Sequence, residues 1–353
     1  MSVDADNRRC VVEPGIVLDD LNRQLAGYGL QYGPRPATHP NCTIGGMIGN
    51  NSCGSTAQAY GKVVDNLHRL QVLTYDGTRM WVGRTEAAEL DRLTSGEGRQ
   101  AELYRGLAAL RDGYAGLVRE RFPDIPRRVS GYNLDSLLPE HGFDVAGLLT
   151  GSESTLVTVL RAELELVPVP EHSSLVVLGY RDACEAADHV PAVLEHEPTA
   201  LEGVDRQLVH YQRRKDLNPD ALQKLPDGLA YLMVQFAGDT RQEVRDKARA
   251  LIDTAPGQIG HTWYDDEQHM HELWLIRESG LGATAHVSGE PDTWEGWEDS
   301  AVPVERLGRA GHRPGRARSI GPVAVLGGCS STQRRNARAR QCGRVRGSGR
   351  GPS

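Results

Sequence analysis

What this 353-residue chain lacks narrows its class. No stretch approaches the ~18 uncharged apolar residues of a membrane-spanning helix. The opening residues MSVDADNRRC lack the basic-then-apolar order of a secretory signal, so a cytoplasmic protein is expected. The six cysteines, at 10, 42, 53, 184, 329 and 342, form no CxxC pair and no metal-finger spacing. Neither a disulfide framework nor a zinc or iron–sulfur site follows from them, and no metal site is expected. No GK[ST] follows a glycine loop, and no GxGxxG follows a strand, which excludes the common phosphate-binding loops. Aromatic residues are few, at 5%, but 39% of the chain is apolar, and its length is enough for two globular domains.

Acidic residues are missing from the last part of the chain. From Arg309 to Ser353 there are eleven arginines and no Lys, Asp or Glu, so the first 308 residues carry −18 against −7 for the whole. A segment built largely from Arg, Gly, Ala, Pro and Ser buries too little surface to offset its ordering entropy, and disorder is expected over 309–353. Without aromatic residues to stack on bases or a repeated RGG unit, nucleic acid is not the expected partner. The abrupt change after AVPVERLG also matches GC-rich codons read out of frame, and a frameshift near residue 308 is the alternative origin of this tail.

Before the tail the pattern is globular. RRCVVEPG (8–15) reads as a strand ending in a Pro-Gly turn. IVLDDLNRQLAGYG places Val17, Leu18, Leu21 and Leu25 on one helical face, with Gly27 as the C-cap. LHRLQVLTYDGTRMWVG (67–83) is a hairpin around Asp76-Gly77. Residues 99–120 read as a surface helix, 144–150 as a buried element, and TLVTVLRAELELVPVP (155–170) as one long alternating strand closed by prolines. Beyond Pro168 and Pro170, strands at 173–180, around 198–205 and at 227–238 alternate with helices at 181–196, 239–255 (capped by Asp239 or Thr240) and 268–280. That alternation implies an α+β layer of ferredoxin-like type.

The segment HPNCTIGGMIGNNSCGS (39–55) holds four glycines and three asparagines in seventeen positions. Runs such as Thr43-Ile44-Gly45-Gly46 and Gly49-Asn50-Asn51-Ser52 offer backbone N–H groups without Cβ obstruction, suited to an anion or a planar polar ring. A tight multi-turn loop with no ligand explains the same composition.

Together, PNCTIGGMIGNNSCGSTAQAYGKVVDNLHRLQVLTYDG and LLTGSESTLVTVLRAELELVPVP resemble the FAD-linked oxidase family, with its PCMH-type, vanillyl-alcohol-oxidase-like flavin fold. The first carries the pattern P-x-T-x-GG, N-x-x-G, YG-x-x-x-D; the second carries the GSEGTLG signature with Ser154 and Val157 in place of glycines. Ser154 is tolerated there if its φ is negative. GPRPATHPNC and GYNLDSLLPEHGFDVAGLLTGSE resemble the branch that holds D-lactate dehydrogenase, D-2-hydroxyglutarate dehydrogenase and glycolate oxidase. The resemblance covers residues 8 to about 307.

The resemblance implies a FAD-binding domain over 1–168, a ferredoxin-like FAD-linked oxidase C-terminal domain over 172–308, and FAD as cofactor. Pro40, Asn41, Thr43, Ile44, Gly45, Gly46, Asn50, Gly54, Ser55, Gly61, Asp65 and Asn66 would surround the flavin. Gly151, Ser152, Glu153 and Thr155 would lie on its other side. The implied reaction passes a hydride from the Cα of a small 2-hydroxy acid to flavin N5 while a base removes the hydroxyl proton. An iron–sulfur domain or subunit is the implied electron acceptor, and attachment to the inner membrane surface is compatible with it. LWLIRES resembles the family's L-W-x-x-R-E, which makes Arg277 the candidate clamp on the substrate carboxylate; a surface arginine paired with Glu278 or an acid one turn away is the plainer reading. His269 and His271, at i and i+2, point to different helix faces and are assigned to surface or packing roles. Trp297 stands where some relatives carry a basic residue.

The family's pyrophosphate loop lies upstream of the position of Met1, and its H-x-H and E-H-G stretches would follow VERL. Weak or absent FAD binding and no oxidation of 2-hydroxy acids are therefore expected of this chain alone. Two alternatives stand beside the dehydrogenase. One is an alcohol or sugar oxidase with covalently held FAD, for which His39 is the histidine beside the glycine cluster. The other is a non-enzymatic fragment with a basic binding tail.

Overall fold

A computed structural model describes residues 1–289 and 301–308. The basic tail from Arg309 onward and Trp297 lie outside the described residues. The chain forms two compact units: Met1–Gly54, Gly61–Asp124 and Arg128–Val169 in the first, and Ser55–Tyr60, Ile125–Arg127 and the described residues from Pro170 onward in the second.

The chain first runs through β1 (Ser2–Asp4), β2 (Arg9–Val12), α1 (Leu18–Leu25), β3 (Leu30–Gln31) and α2 (Ile44–Gly49). The one-turn helix α3 (Ala57–Tyr60), which belongs to the second unit, interrupts it. It continues with β4 (Leu67–Leu73), β5 (Arg79–Gly83), α4 (Ala87–Ser95), α5 (Arg99–Arg121), α6 (Val145–Leu149), β6 (Thr158–Glu165) and β7 (Val167–Pro168). Five strands form one antiparallel sheet in the order β1-β2-β6-β4-β5. Period-2 alternation buries Cys10, Val12, Leu70, Val72, Ala162 and Leu164 on its inner face, in one core with residues of α1, α2 and α6. Burial pushes the Cys10 thiol up to about 12, which makes it a packing residue. The outer face carries cross-strand polar pairs, among them Arg69 with Glu163 and Arg9 Nη1 with His68 Nε2 at 3.1 Å.

Two sequence expectations change here. Gly27 is not the C-cap of α1: the backbone stays right-handed through a 3-10 turn over Ala26–Tyr28, and the left-handed residue that reverses it is Gly29, at φ +67°. The strand expected over 155–170 is two strands. Its first residues sit in a turn closed by Thr155 N–H to Ser152 O, and the chain breaks at Leu166, whose N–H donates to Arg8 O at 2.8 Å. The remainder pairs with β3, Leu30 opposite Pro168.

The second unit runs β8 (His172–Tyr180), α7 (Ala183–Leu194), β9 (Ala200–Asp205), α8 (Arg206–Arg214), α9 (Pro219–Gln223), β10 (Ala230–Gly238), α10 (Arg241–Thr254), β11 (Gly260–Tyr264), α11 (Glu267–Glu278) and α12 (Gly280–Thr284). Its sheet is antiparallel in the order β11-β8-β10-β9, which with the crossings by α7 and α10 is the ferredoxin-like arrangement. Helices cover both faces, so β8 and β10 read as continuous apolar runs. Val176, Leu178, Leu232, Val234 and Phe236 pack with residues of α7 and α10, and Leu175, Val177, Tyr231 and Met233 with residues of α8, α9 and α11. Asp182, Asp205, Thr240 and Asp266 cap their helices, each side chain accepting from the N–H three residues on.

A Cβ at Gly27 or Gly29 would meet nothing within 4 Å, and the two differ only in backbone angle. Gly29→Ala is therefore expected to lose about 1 kcal/mol of stability in urea denaturation, while Gly27→Ala, at a right-handed position, holds or gains about 0.5 kcal/mol. Equal effects at the two positions would contradict the placement of the reversal.

Candidate functional site

Thr43 sits in extended conformation at the head of α2 and accepts from Gly46 N–H at 3.2 Å through Oγ1. The preceding turn is closed by the N–H groups of Asn41 and Cys42, both donating to Thr38 O at 2.9 Å, and leaves Pro40 and Asn41 exposed. Ile44 is fully buried. Its N–H donates to Ile16 O at 2.9 Å, and that of Gly45 to Pro14 O at 2.8 Å. The amides of Asn50, Asn51 and Ser52 fold back onto the carbonyls of Gly46, Ile48 and Met47.

The expectation that this segment offers N–H groups to an anion is thus overturned. The first donors of α2 are satisfied by its cap and by the 14–16 turn, as a helix start requires. The glycines serve approach instead. A Cβ on Gly45 would stand 2.6 Å from Pro14 Cβ, and one on Gly54 would run into the Arg35 carbonyl. Gly46 is exposed, and Asn50 lies one helical turn further along the same side of α2. Together they give α2 a bare, polar-edged surface.

Residues 151–155 join the same surface. Gly151 N–H donates to Ile48 O and Glu153 N–H to Gly49 O, both at 2.9 Å. Ser152 is buried, and its carbonyl accepts from Thr155 Oγ1 at 2.6 Å. Thr155 Oγ1 in turn lies 2.8 Å from Tyr132 OH. Glu153 and Ser154 have φ of +49° and +62°, so Ser154 does not take the negative angle that would have made it a comfortable replacement for glycine. Tyr75 OH donates to the Ser154 carbonyl at 2.8 Å and holds the turn in place.

Gly61 has φ +76°, and a Cβ there would lie 2.6 Å from Asp65 Oδ2, which accepts from Lys62 N–H at 2.9 Å. Asn66 is buried and donates to Lys62 O at 2.9 Å. Ser55 clusters with the second unit, where its carbonyl lies 3.4 Å from Leu201 N.

Three buried polar groups around these loops have partners that the sequence did not show. Asn51 Oδ1 accepts from Val64 N–H at 3.1 Å. Asn133 Nδ2 donates to the carbonyls of Gly147 and Thr150. His39 contacts Asp19 through Nδ1 at 2.7 Å and Arg35 through Nε2 at 2.9 Å. Arginine can only donate, so Nε2 accepts and Nδ1 carries the proton toward Asp19. With both ring nitrogens engaged and the ring buried, His39 is not presented for covalent attachment of a cofactor.

In the second unit Arg277 has a partner that its neighbours in sequence do not announce: its Nε donates to Glu202 Oε2 on β9 at 3.1 Å. Trp274, three residues earlier, donates its indole N–H to Gln235 Oε1 on β10 at 2.6 Å. The tryptophan and arginine of LWLIRES therefore fasten one face of α11 to two adjacent strands. Glu202, the only charge between Ala200 and Val204, was visible in the sequence as an acid inside an apolar strand. His269 bonds the carboxylate of Asp266 at 2.7 Å and stacks on Tyr264. Among the described residues no cluster of three metal-ligating side chains occurs, and no helix is long and apolar enough to cross a membrane.

Residues 1–83 match the family described as FAD binding domain, and residues 169–313 match the C-terminal domain of FAD linked oxidases. By these two matches the chain is similar to FAD-linked oxidases, families that bind FAD. D-2-hydroxyglutarate dehydrogenase of Pseudomonas putida is 29% identical over 318 residues, covering 87% of this chain and 32% of that protein. Glycolate oxidase subunit GlcD of Bacillus subtilis is 26% identical over 316 residues, covering 87% of this chain and 54% of that one. D-lactate dehydrogenase of Anaerostipes hadrus is 22% identical over 290 residues, covering 80% and 50%. The chain thus spans between about a third and about half of the length of these relatives. A solved alkyldihydroxyacetonephosphate synthase aligns at 15% identity and a TM-score of 0.46, over 80% of this chain and 45% of that one.

Two successive non-glycine residues in the left-handed region store backbone strain at the 151–155 turn. Ser154→Gly, at an exposed position, is expected to raise stability by about 0.5–1 kcal/mol in urea denaturation. A lowered midpoint would contradict the φ assigned to Ser154.

Proposed function

We propose that the chain serves a FAD-dependent dehydrogenase of small D-2-hydroxy acids, with the α2 segment and the 151–155 turn as one wall against the flavin. The observation that carries this reading is the backbone pairing of Ile48 and Gly49 with Gly151 and Glu153, which merges the two stretches of family motif into one surface. On that wall Gly46 gives close approach, and the side chains of Asn41, Asn50, Glu153 and Thr155 supply polar contacts. Pro40, Thr43, Ile44, Gly45, Gly54, Gly61, Asp65 and Asn66 hold its shape, and Ser55 follows directly in the chain. FAD, when bound, supplies a two-electron acceptor. Arg277 is the proposed holder of the substrate carboxylate, because a planar, permanently charged guanidinium matches a carboxylate edge to edge. A domain or subunit carrying an iron–sulfur centre is the proposed acceptor of the electrons, and the cytoplasm the proposed compartment. The three relatives are named for D-2-hydroxyglutarate, glycolate and D-lactate, which supports the substrate class.

The test is titration of the purified chain with FAD, followed by quenching of flavin fluorescence. Weak but saturable binding is expected, weakened further, at least about tenfold or 1.4 kcal/mol, by Gly46→Leu in a chain that circular dichroism shows to be folded. No saturable binding, or binding indifferent to Gly46→Leu, would overturn the proposal.

A further inference from the structure

We infer that helix α5 docks against a second copy of this chain, antiparallel and across a twofold axis. One face of α5 is turned inward, with Ala101, Tyr104 and Val118 buried. The opposite face carries Gly106, Leu110, Gly113 and Leu117, whose spacing of four, three and four residues keeps them on one stripe. Leu110 is 44% exposed and Leu117 52%, so two leucines two turns apart face water in line. The glycines that alternate with them are open as well: a Cβ on Gly106 or Gly113 would meet nothing within 4 Å among the described residues. Glycine weakens a helix interior relative to alanine, and no neighbour among the described residues uses the space these two leave.

Charge selects the occupant. Glu102 stands at one end of the stripe and Arg121 at the other, both exposed. Their partners along the same helix, Arg99 at 3.1 Å and Glu120 at 3.0 Å, are solvent-exposed pairs that hold them weakly. A second α5 running antiparallel, with the twofold axis passing between Arg111 and Asp112, brings Leu110 of each copy opposite Gly113 of the other. The same axis sets Leu117 opposite Gly106 and Glu102 opposite Arg121, so large meets small and acid meets base in one register. Small residues under large ones let the helices approach closely along the seam. A parallel copy in register would instead put Glu102 against Glu102 and Arg121 against Arg121. An antiparallel copy slipped by three or four residues toward the N-terminus would put Arg99 against Arg121, or Leu117 against Glu102. One helix pair covers less than the ~1,600 Å² of a standard interface, so the dimer is weak and depends on concentration.

The test is sedimentation equilibrium of the full chain, at loading concentrations up to about 1 mM. A monomer–dimer equilibrium is expected. Glu102→Arg and Arg121→Glu, each of which puts like charges together at both ends of the seam, should each weaken it at least about tenfold. Mixing these two variants restores an acid opposite a base at both ends, and the mixture should associate as tightly as the unsubstituted chain. That recovery also shows that both variants are folded. Gly113→Gln, which favours the helix but fills the gap left for Leu110 of the other copy, should weaken association about tenfold. A chain that stays monomeric throughout, or that associates equally in every variant, would overturn the proposal. So would two charge variants that fail to recover when mixed, or a trimer or larger assembly in place of the dimer.

Discussion

Two backbone hydrogen bonds, from Gly151 N–H to Ile48 O and from Glu153 N–H to Gly49 O, join stretches about a hundred residues apart, and the candidate site depends on them. They are possible because α2 is short, capped by Thr43 and pressed onto the 14–16 turn through Gly45, so its end is held in place. The cost is borne by Glu153 and Ser154, both forced to positive φ, and Tyr75 braces the turn from the side. A site built this way is shaped by backbone, and its amides are occupied by the fold. Polar recognition falls to side chains at the rim.

The second unit solves a different problem with the same economy. Its sheet is covered on both faces, so a polar side chain inside it must find a partner at once. Glu202 and Gln235 find theirs on α11, in Arg277 and Trp274. α11 packs through Met270, Leu273 and Ile276, and two directed bonds to neighbouring strands add to that apolar contact and oppose sliding or rotation. The LWLIRES stretch is, in physical terms, a pair of pegs three residues apart.

Periodicity made much of this legible. The buried face of α1, the hairpin around Asp76-Gly77, the outer helix over 99–121 and the alternation that builds the ferredoxin-like unit all follow from residue spacing. The family resemblance singled out the α2 segment and the 151–155 turn, which the backbone joins into one surface, and the two family matches agree with the family itself. The failures share one cause: sequence shows which groups a residue has, and not where they are used. Gly27 and Gly29 look alike in composition, and only the 3-10 continuation decides between them. The amides of the glycine segment look available until Thr43, Pro14 and Ile16 are seen to take them. Arg277 has an acid beside it in sequence, yet the carboxylate that orients it comes from 75 residues away. His39, Asp19 and Arg35 meet only in the folded chain.

The central claim is that the wall formed by α2 and the 151–155 turn is complete without a ligand. Residue-resolved hydrogen exchange on the flavin-free chain tests it directly. The account predicts that the amides of Gly45, Gly151 and Glu153 exchange at least about a thousandfold more slowly than in an unstructured chain. Exchange at the unstructured rate, slowing only when FAD is added, would contradict it.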